Sequence, residues 1–362
     1  MKVVSVVGTR PEVIKLSRVI PALDRSFEHT LIHTGQNHDY GLKDVFFDEM
    51  DIRQPDISLN AVGSSTMDTI ANMLLQIDNH LAAIQPDAVL ILGDTNSCFA
   101  TAYAAKRRHI VTFHMEAGNR CFDDRVPEEI NRRAIDHISD INMPYSEAAR
   151  TNLLREGLPP DRIIKTGSPM KEVLDYYQLQ IANSDVLRRE SLWPKEYFLV
   201  SCHREENLQD LSPLWTMLIG LEPYGLPVIM STHPRLQRAA EGCEAARFCK
   251  PFGFFDYVKL QQNARCVLSD SGTITEESAI LGFPALNIRE THERQEGMEE
   301  GAVMMTGFNF DRIQDGIKIL GNRNPLTQPQ VPEDYCVGNV SEKVVSIVLS
   351  YVNYVRRTVY GL

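Results

Sequence analysis

The sequence lacks most of the signatures that would assign it a chemistry at once. It has seven cysteines, an odd number, and they are scattered with no CxxC pair. That excludes both a disulfide framework and a cysteine zinc site as organising features. Its ten histidines form no HExxH motif, so no metal centre is expected. GK[ST] after a glycine-rich loop is absent, and so is GxGxxG. Neither a P-loop nor a dinucleotide fingerprint is present, which argues against a nicotinamide cofactor. No apolar run approaches the roughly 20 residues of a membrane span. The opening "MKVVSVVG" enters a strand-like run without the apolar core and small-residue cleavage site of a signal peptide, so a cytoplasmic protein is expected. Excess positive charge is missing as well: the net charge is -11, which argues against nucleic acid as a partner.

What is present is an alternation. Short Val/Ile/Leu-rich runs at 2–8, 29–35, 87–94, 109–115, 140–146 and 162–167 are separated by amphipathic segments at 11–24, 41–50, 66–84, 97–107, 128–138, 147–156 and 169–178. A second series of runs follows at 196–203, 226–233, 264–272 and 283–289. Strands alternating with helices imply βαβ units, and continuous apolar runs imply parallel strands buried on both faces. The length of 362 residues exceeds one ordinary core. The expectation is an α/β protein of two Rossmann-like domains facing across a cleft. They would span 1–180 and 181–340, joined through the Pro194-containing stretch 180–196, with a C-terminal helix at 341–362 returning to the first domain.

Charge is concentrated where these strands end. "HMEAGNRCFDDRVPEEINRR" (114–133) carries five acids and four arginines directly after an apolar run. In open α/β sheets ligands bind outside the carboxyl ends of the strands. Glu116 ends that run and Asp94 ends the run before it, in "ILGDTNS", so the two acids should face the same crevice. Asp94 is equally placed to cap the next helix. Glu128 and Glu129 follow Pro127 at a helix start, where the dipole favours acids in any case. Clustered carboxylates raise one another's pKa, which would keep one protonated while another acts as base. "VVGTRPEVIKLS" (6–17) is a strand, a glycine and a helix start; its amides, with Arg10 and Lys15, could receive an anion. In the second half, His203 and Arg204 follow one strand in "SCHREENL", and His233 follows another in "STHPR". "SDSGTITEESAILGFP" (269–284) ends a strand at Asp270 and opens a helix through Ser271, Gly272 and Thr273, with Glu276 and Glu277 beyond. That helix start can hold a diphosphate, and a glutamate one turn on can accept both ribose hydroxyls.

Taken in order, "GTRPE", "GDTNS", "HMEAGNR…PEEINR", "HREEN" and "DSGTITEE" resemble the non-hydrolysing UDP-N-acetylglucosamine 2-epimerase family over nearly the whole chain. The resemblance implies the two-domain glycosyltransferase-B fold and inversion at C2 through a glycal, with no redox cofactor. It assigns Asp94, Glu116, Glu128 and His203 to catalysis. It assigns Arg10, Lys15, Arg204, His233, Ser271, Gly272, Glu276 and Glu277 to the UDP-sugar, with Tyr257 in "FFDYVKL" either stacked on uracil or an ordinary core residue. It also implies a homodimer. A two-domain cleft further predicts closure on UDP, which would exclude water and protect the glycal. "HTGQNHDY", "FHMEAGNRCFD" and "NMPYSEAAR" are similar to the capsule and O-antigen branch, which interconverts UDP-2-acetamido-2,6-dideoxy-L-talose and UDP-N-acetyl-L-fucosamine. "HREEN" stands where the typical members have "HRREN". "CF" at 121–122 adds a small apolar step beside Glu128 that would suit the methyl of a 6-deoxy sugar. The alternatives are an epimerase of UDP-N-acetylglucosamine itself, a glycosyltransferase of the same fold, and a non-catalytic nucleotide-sugar sensor.

Overall fold

The structure is a computed structural model, and it describes residues 1–35, 46–202, 210–231, 244–324 and 329–362. The chain forms two units, Met1–Asp175 with Cys336–Leu362, and Tyr176–Tyr335.

In the first unit β1 (Lys2–Val7), β2 (Glu28–His33), β3 (Ile57–Ser58), β4 (Ala88–Leu92), β5 (Val111–Met115) and β6 (Ile141–Met143) form one sheet in the order β3-β2-β1-β4-β5-β6. Every pairing is parallel. Every residue of β4 and β5 is buried, because helices cover both faces of a parallel sheet. Helix Thr66–Ile84 shows why the cover holds. Ser65 caps it by accepting from the Asp68 amide, and Met73, Ile77 and Leu81, one turn apart, are its buried stripe. They pack with Val4, Val6, Val89 and Ile91 of the sheet.

In the second unit β7 (Phe198–Ser201), β8 (Val228–Ser231), β9 (Arg247–Cys249), β10 (Cys266–Ser269), β11 (Ala285–Asn287) and β12 (Met304–Met305) run in the order β12-β11-β10-β7-β8-β9. Counted within each unit, both sheets have the doubly wound order 3-2-1-4-5-6. The order reverses between β1 and β4 in one and between β7 and β10 in the other. Ligands of such sheets bind at these switch points.

Helix Val340–Val355 buries Val340, Val344, Val348, Val352 and Val355 and packs on helix Val19–Ser26 in the first unit. Beyond it, Arg356 reaches Asp87 at 2.7 Å and the Tyr360 hydroxyl donates to Asp140 at 2.8 Å.

Several local expectations change. The helix expected over 11–24 is two helices, Arg10–Leu16 and Val19–Ser26. A continuous one would bury Pro21 in its interior, where proline removes a hydrogen bond and clashes with the preceding turn; restarting at Val19 places it in a first turn. The run 162–167 makes only an isolated bridge, Asn142 to Ile163. β3, β9 and β12 were not expected, and strands of two or three residues carry no readable period. The 41–50 helix lies partly outside the described residues. Among the described residues no helix is long and apolar enough to cross a membrane.

Candidate active site

The first switch point is built on the turn after β1. A Cβ on Gly8 would lie 2.4 Å from the Ser97 hydroxyl oxygen and 2.5 Å from that of Thr34, so only glycine fits. Thr9 starts the following helix, and Glu12 turns back to accept from the amides of Gly8 at 2.6 Å and Thr9 at 2.7 Å. This is a capping box. Glu12 also accepts from the Thr95 hydroxyl at 2.8 Å and faces the Cys98 thiol at 3.3 Å, tying the β1 turn to the β4 turn. Burial pushes its carboxyl above the usual range, and these hydrogen bonds oppose the shift. The expectation that this turn offers its amides to an anion is therefore corrected: a carboxylate from within the helix occupies two of them. Reading T-x-x-E at 9–12 as a capping box would have found it. Arg10 is half-buried, its guanidinium 5.6 Å from the Phe46 ring centroid.

Leu92 of β4 pairs with Met115 of β5, so Asp94 and Glu116 leave neighbouring strands at the same rim. Glu116 has a left-handed backbone, φ 65°, which is strained for a residue with a side chain. Its carboxylate pairs with the Lys15 ammonium, which also lies 5.9 Å from the Tyr145 ring centroid. Lys15 is 4% exposed, so the residue assigned by resemblance to the nucleotide lies against a catalytic candidate. Asp94 accepts from two nitrogens of Arg132, at 2.6 and 3.1 Å. The cap of helix Asn96–Arg107 is Thr95, whose hydroxyl accepts from the Cys98 amide; Asp94 is not the cap.

Pro127 opens helix Pro127–Ile138 and puts Glu128 and Glu129 in its first turn. Glu128 is half-buried. One turn later Asn131 donates to the Asp94 carbonyl at 3.0 Å, and Arg132 bridges Asp94 and Glu129. Cations are interleaved: Lys15 at Glu116, and Arg132 between Asp94 and Glu129. For Glu129, burial pushes the carboxyl up, but the Cys121 amide and Arg132 outweigh it, and the net shift is downward.

Below this rim a buried network braces the loop after β5. His114 faces the Gly93 carbonyl through Nε2 at 2.8 Å and Asp136 through Nδ1 at 2.9 Å. Asp136 also accepts from Arg120 at 2.7 Å and the Gly118 amide at 3.1 Å. Neither His114 nor Asp136 was singled out from sequence, because His114 sits mid-strand and Asp136 mid-helix.

In the second unit Asp270 follows β10 and is buried. Ser271 and Thr273 bond through their hydroxyls at 3.0 Å, and helix Ile274–Leu281 begins with no side-chain cap. A Cβ on Gly272 would lie 2.6 Å from Glu293 Oε1. Glu277 accepts from Gln261 at 2.6 Å. Glu276 is fully buried and pairs with Arg294 at 2.8 Å. This corrects its assignment to ligand binding, since neighbouring helix positions point about 100° apart and only one of the two can face the turn. Tyr257 is half-buried against the core around Val186 and Leu260. His203, Arg204 and His233 lie outside the described residues.

Two sheets of doubly wound order, with acid–cation pairs at one switch point and a hydroxyl–glycine turn at the other, define a two-domain α/β enzyme of glycosyltransferase-B type. The family model described as UDP-N-acetylglucosamine 2-epimerase matches residues 21–349. The chain belongs to that family and is an isomerase of its class. It is 51% identical to a solved structure of UDP-N-acetylglucosamine 2-epimerase from Rickettsia bellii, with 100% of both chains covered and a TM-score of 0.93. It is 32% identical to the Methanocaldococcus jannaschii UDP-GlcNAc 2-epimerase solved with UDP-GlcNAc and UDP, covering 97% of this chain and 100% of that one, TM-score 0.89. It is 30% identical to a UDP-2,3-diacetamido-2,3-dideoxy-D-glucuronate 2-epimerase of Pseudomonas aeruginosa, over 88% of this chain and 92% of that protein.

Proposed function

We propose that the chain inverts C2 of a UDP-linked 2-acetamido-2-deoxyhexose by elimination and re-addition of UDP. The supporting observation is the pair Asp94 and Glu116, on adjacent strand ends at a switch point and each facing a cation. In the forward step a carboxylate takes the C2 proton while the C1–O bond to UDP breaks, leaving a glycal. In the return step the C1–O bond re-forms and a carboxylic acid delivers a proton to the other face of C2. The sequence is redox-neutral, so it calls for positioned acids and bases and for stabilisation of the leaving diphosphate. Asp94, Glu116 and Glu128 serve the proton transfers and His203 the leaving group. Arg10, Arg204, His233, Ser271, Gly272 and Glu277 hold UDP, and Tyr257 takes the uracil. Lys15 serves the diphosphate through the charge it shares with Glu116.

For the sugar, we propose UDP-2-acetamido-2,6-dideoxy-L-talose and UDP-N-acetyl-L-fucosamine. Relatives of similar identity carry names with two different sugars, so identity near 30% does not set the substrate. Phe122, 64% exposed in the loop that leads to Glu128, favours a substrate with an apolar C6. UDP-N-acetylglucosamine is the second reading, favoured by the names of the relatives. The resemblance further supports a cytoplasmic homodimer serving surface-polysaccharide synthesis. Proton NMR in D2O tests both readings. Deuterium entering C2 of UDP-N-acetyl-L-fucosamine with appearance of the talose epimer is the expected result. Exchange from UDP-N-acetylglucosamine alone would refute the sugar assignment and keep the mechanism.

A further inference from the structure

The Cys121–Phe122 turn is costly as built. Phe122 has φ 56°, a left-handed backbone that is strained for a residue with a side chain. Its large ring is 64% exposed, so hydrophobic burial does not repay the strain. What holds the turn is Glu129. That carboxylate is 0% exposed. It accepts from the amides of Cys121 at 3.0 Å and Phe122 at 3.2 Å, and the Cys121 thiol lies 3.3 Å away. It also pairs with Arg132 at 2.9 Å and Arg133 at 3.0 Å. Arg132, 2% exposed, reaches Asp94 at 2.6 Å. A continuous line of hydrogen bonds thus runs from the Phe122 amide through Glu129 and Arg132 to Asp94. Strain persists only where the surroundings over-determine it, and such places cluster at functional sites.

We propose that Glu129 is a positioning residue that couples the Cys121–Phe122 turn to Asp94, and that through Phe122 the site distinguishes a methyl from a hydroxymethyl group on the sugar. This rests on the function proposed above. An aromatic ring accepts a methyl without loss, whereas a hydroxymethyl packed against it gives up hydrogen bonds to water. The buried link carries the fit of that group to the carboxylate that handles the proton, so the right sugar sets the geometry of Asp94.

The test measures C2 deuterium incorporation at saturating UDP-N-acetyl-L-fucosamine and UDP-N-acetylglucosamine, with UDP affinity and circular dichroism as controls for fold. Phe122→Gly removes the ring while tolerating the backbone angle; the ratio of rates, fucosamine over glucosamine, should fall about tenfold. Glu129→Gln keeps the shape but removes the charge between the arginines; kcat should fall about 100-fold for both sugars with KM and UDP affinity nearly unchanged. If Glu129→Gln does not fold, Glu129→Asp, which keeps the charge but is one methylene too short to reach the Cys121 and Phe122 amides and Arg132 together, carries the same prediction. A rate ratio unchanged in Phe122→Gly overturns the specificity role. A kcat within about threefold of wild type in Glu129→Gln, or in Glu129→Asp in its place, overturns the coupling. Wild-type protein that binds UDP but exchanges neither sugar refutes the proposed function, and this inference with it.

Discussion

The turn after β4 and the turn after β10 occupy the same place in two sheets of the same order, yet they are chemically opposite. After β4, Asp94 is part-exposed and held by Arg132, the helix is capped by Thr95, and the neighbouring β1 turn has two amides occupied by Glu12. After β10, Asp270 is buried, two hydroxyls and a glycine form the turn, and the helix has no side-chain cap. In the function proposed here, the charged side chains of the first turn exchange protons and the backbone and hydroxyls of the second meet an anion. One fold element would then support either role according to what stands in the first few positions after the strand.

The strongest way to break this contrast is Asp94→Asn. C2 exchange should drop by about 100-fold or more while UDP affinity stays near wild type, since one general acid or base contributes roughly 10²–10⁴. Comparable loss of exchange and of UDP binding would erase the division of labour. Next in size is the pair Glu276 and Glu277. Glu276→Gln removes the carboxylate that meets the buried Arg294 at 2.8 Å and should cost about 3–5 kcal/mol in urea unfolding. Glu277→Gln should weaken UDP binding by about tenfold in calorimetry, through the loss of one charge-assisted hydrogen bond. Gly8→Ala should cost about 1–3 kcal/mol, because the new methyl overlaps the Ser97 and Thr34 hydroxyls.

The smallest effects are in pH. Asp136 is pushed up by burial, but His114 and Arg120 pull it further down, so its net pKa is lowered. Its stabilising contribution is full above the ordinary carboxylate pKa and is lost as pH falls through the lowered folded value. Wild type should therefore lose its advantage over Asp136→Asn below about pH 4. Glu12 is raised, so the sign reverses. Its contribution is present below the ordinary pKa and is lost as pH rises through the folded value. Urea midpoints of wild type and Glu12→Gln should shift in favour of Gln as pH climbs from about 4.5. A constant gap in either pair would remove the electrostatic part of this account.

Much of the fold was readable because it rests on local pattern. Val/Ile/Leu runs alternating with amphipathic segments marked the long central strands, and the acids at their ends marked the rim. Edge strands such as Met304–Met305 are too short to show a period. Pro21 marks the break after Leu16, and Thr9 and Glu12 spell a capping box, so both features are legible in the sequence. The cations were harder to place. That Arg132 reaches Asp94, and Lys15 reaches Glu116, depends on how separate helices pack on the sheet. For the same reason "EE" at 276–277 did not reveal that one glutamate is buried on Arg294 while the other meets Gln261.

The most direct test of the central claim is C2 deuterium incorporation by Glu116→Gln, with UDP affinity measured on the same preparation. The account predicts incorporation at about one-hundredth of the wild-type rate or less, with UDP bound as in wild type. Incorporation within about threefold of wild type would contradict it, and would move proton transfer away from the strand ends of the first unit.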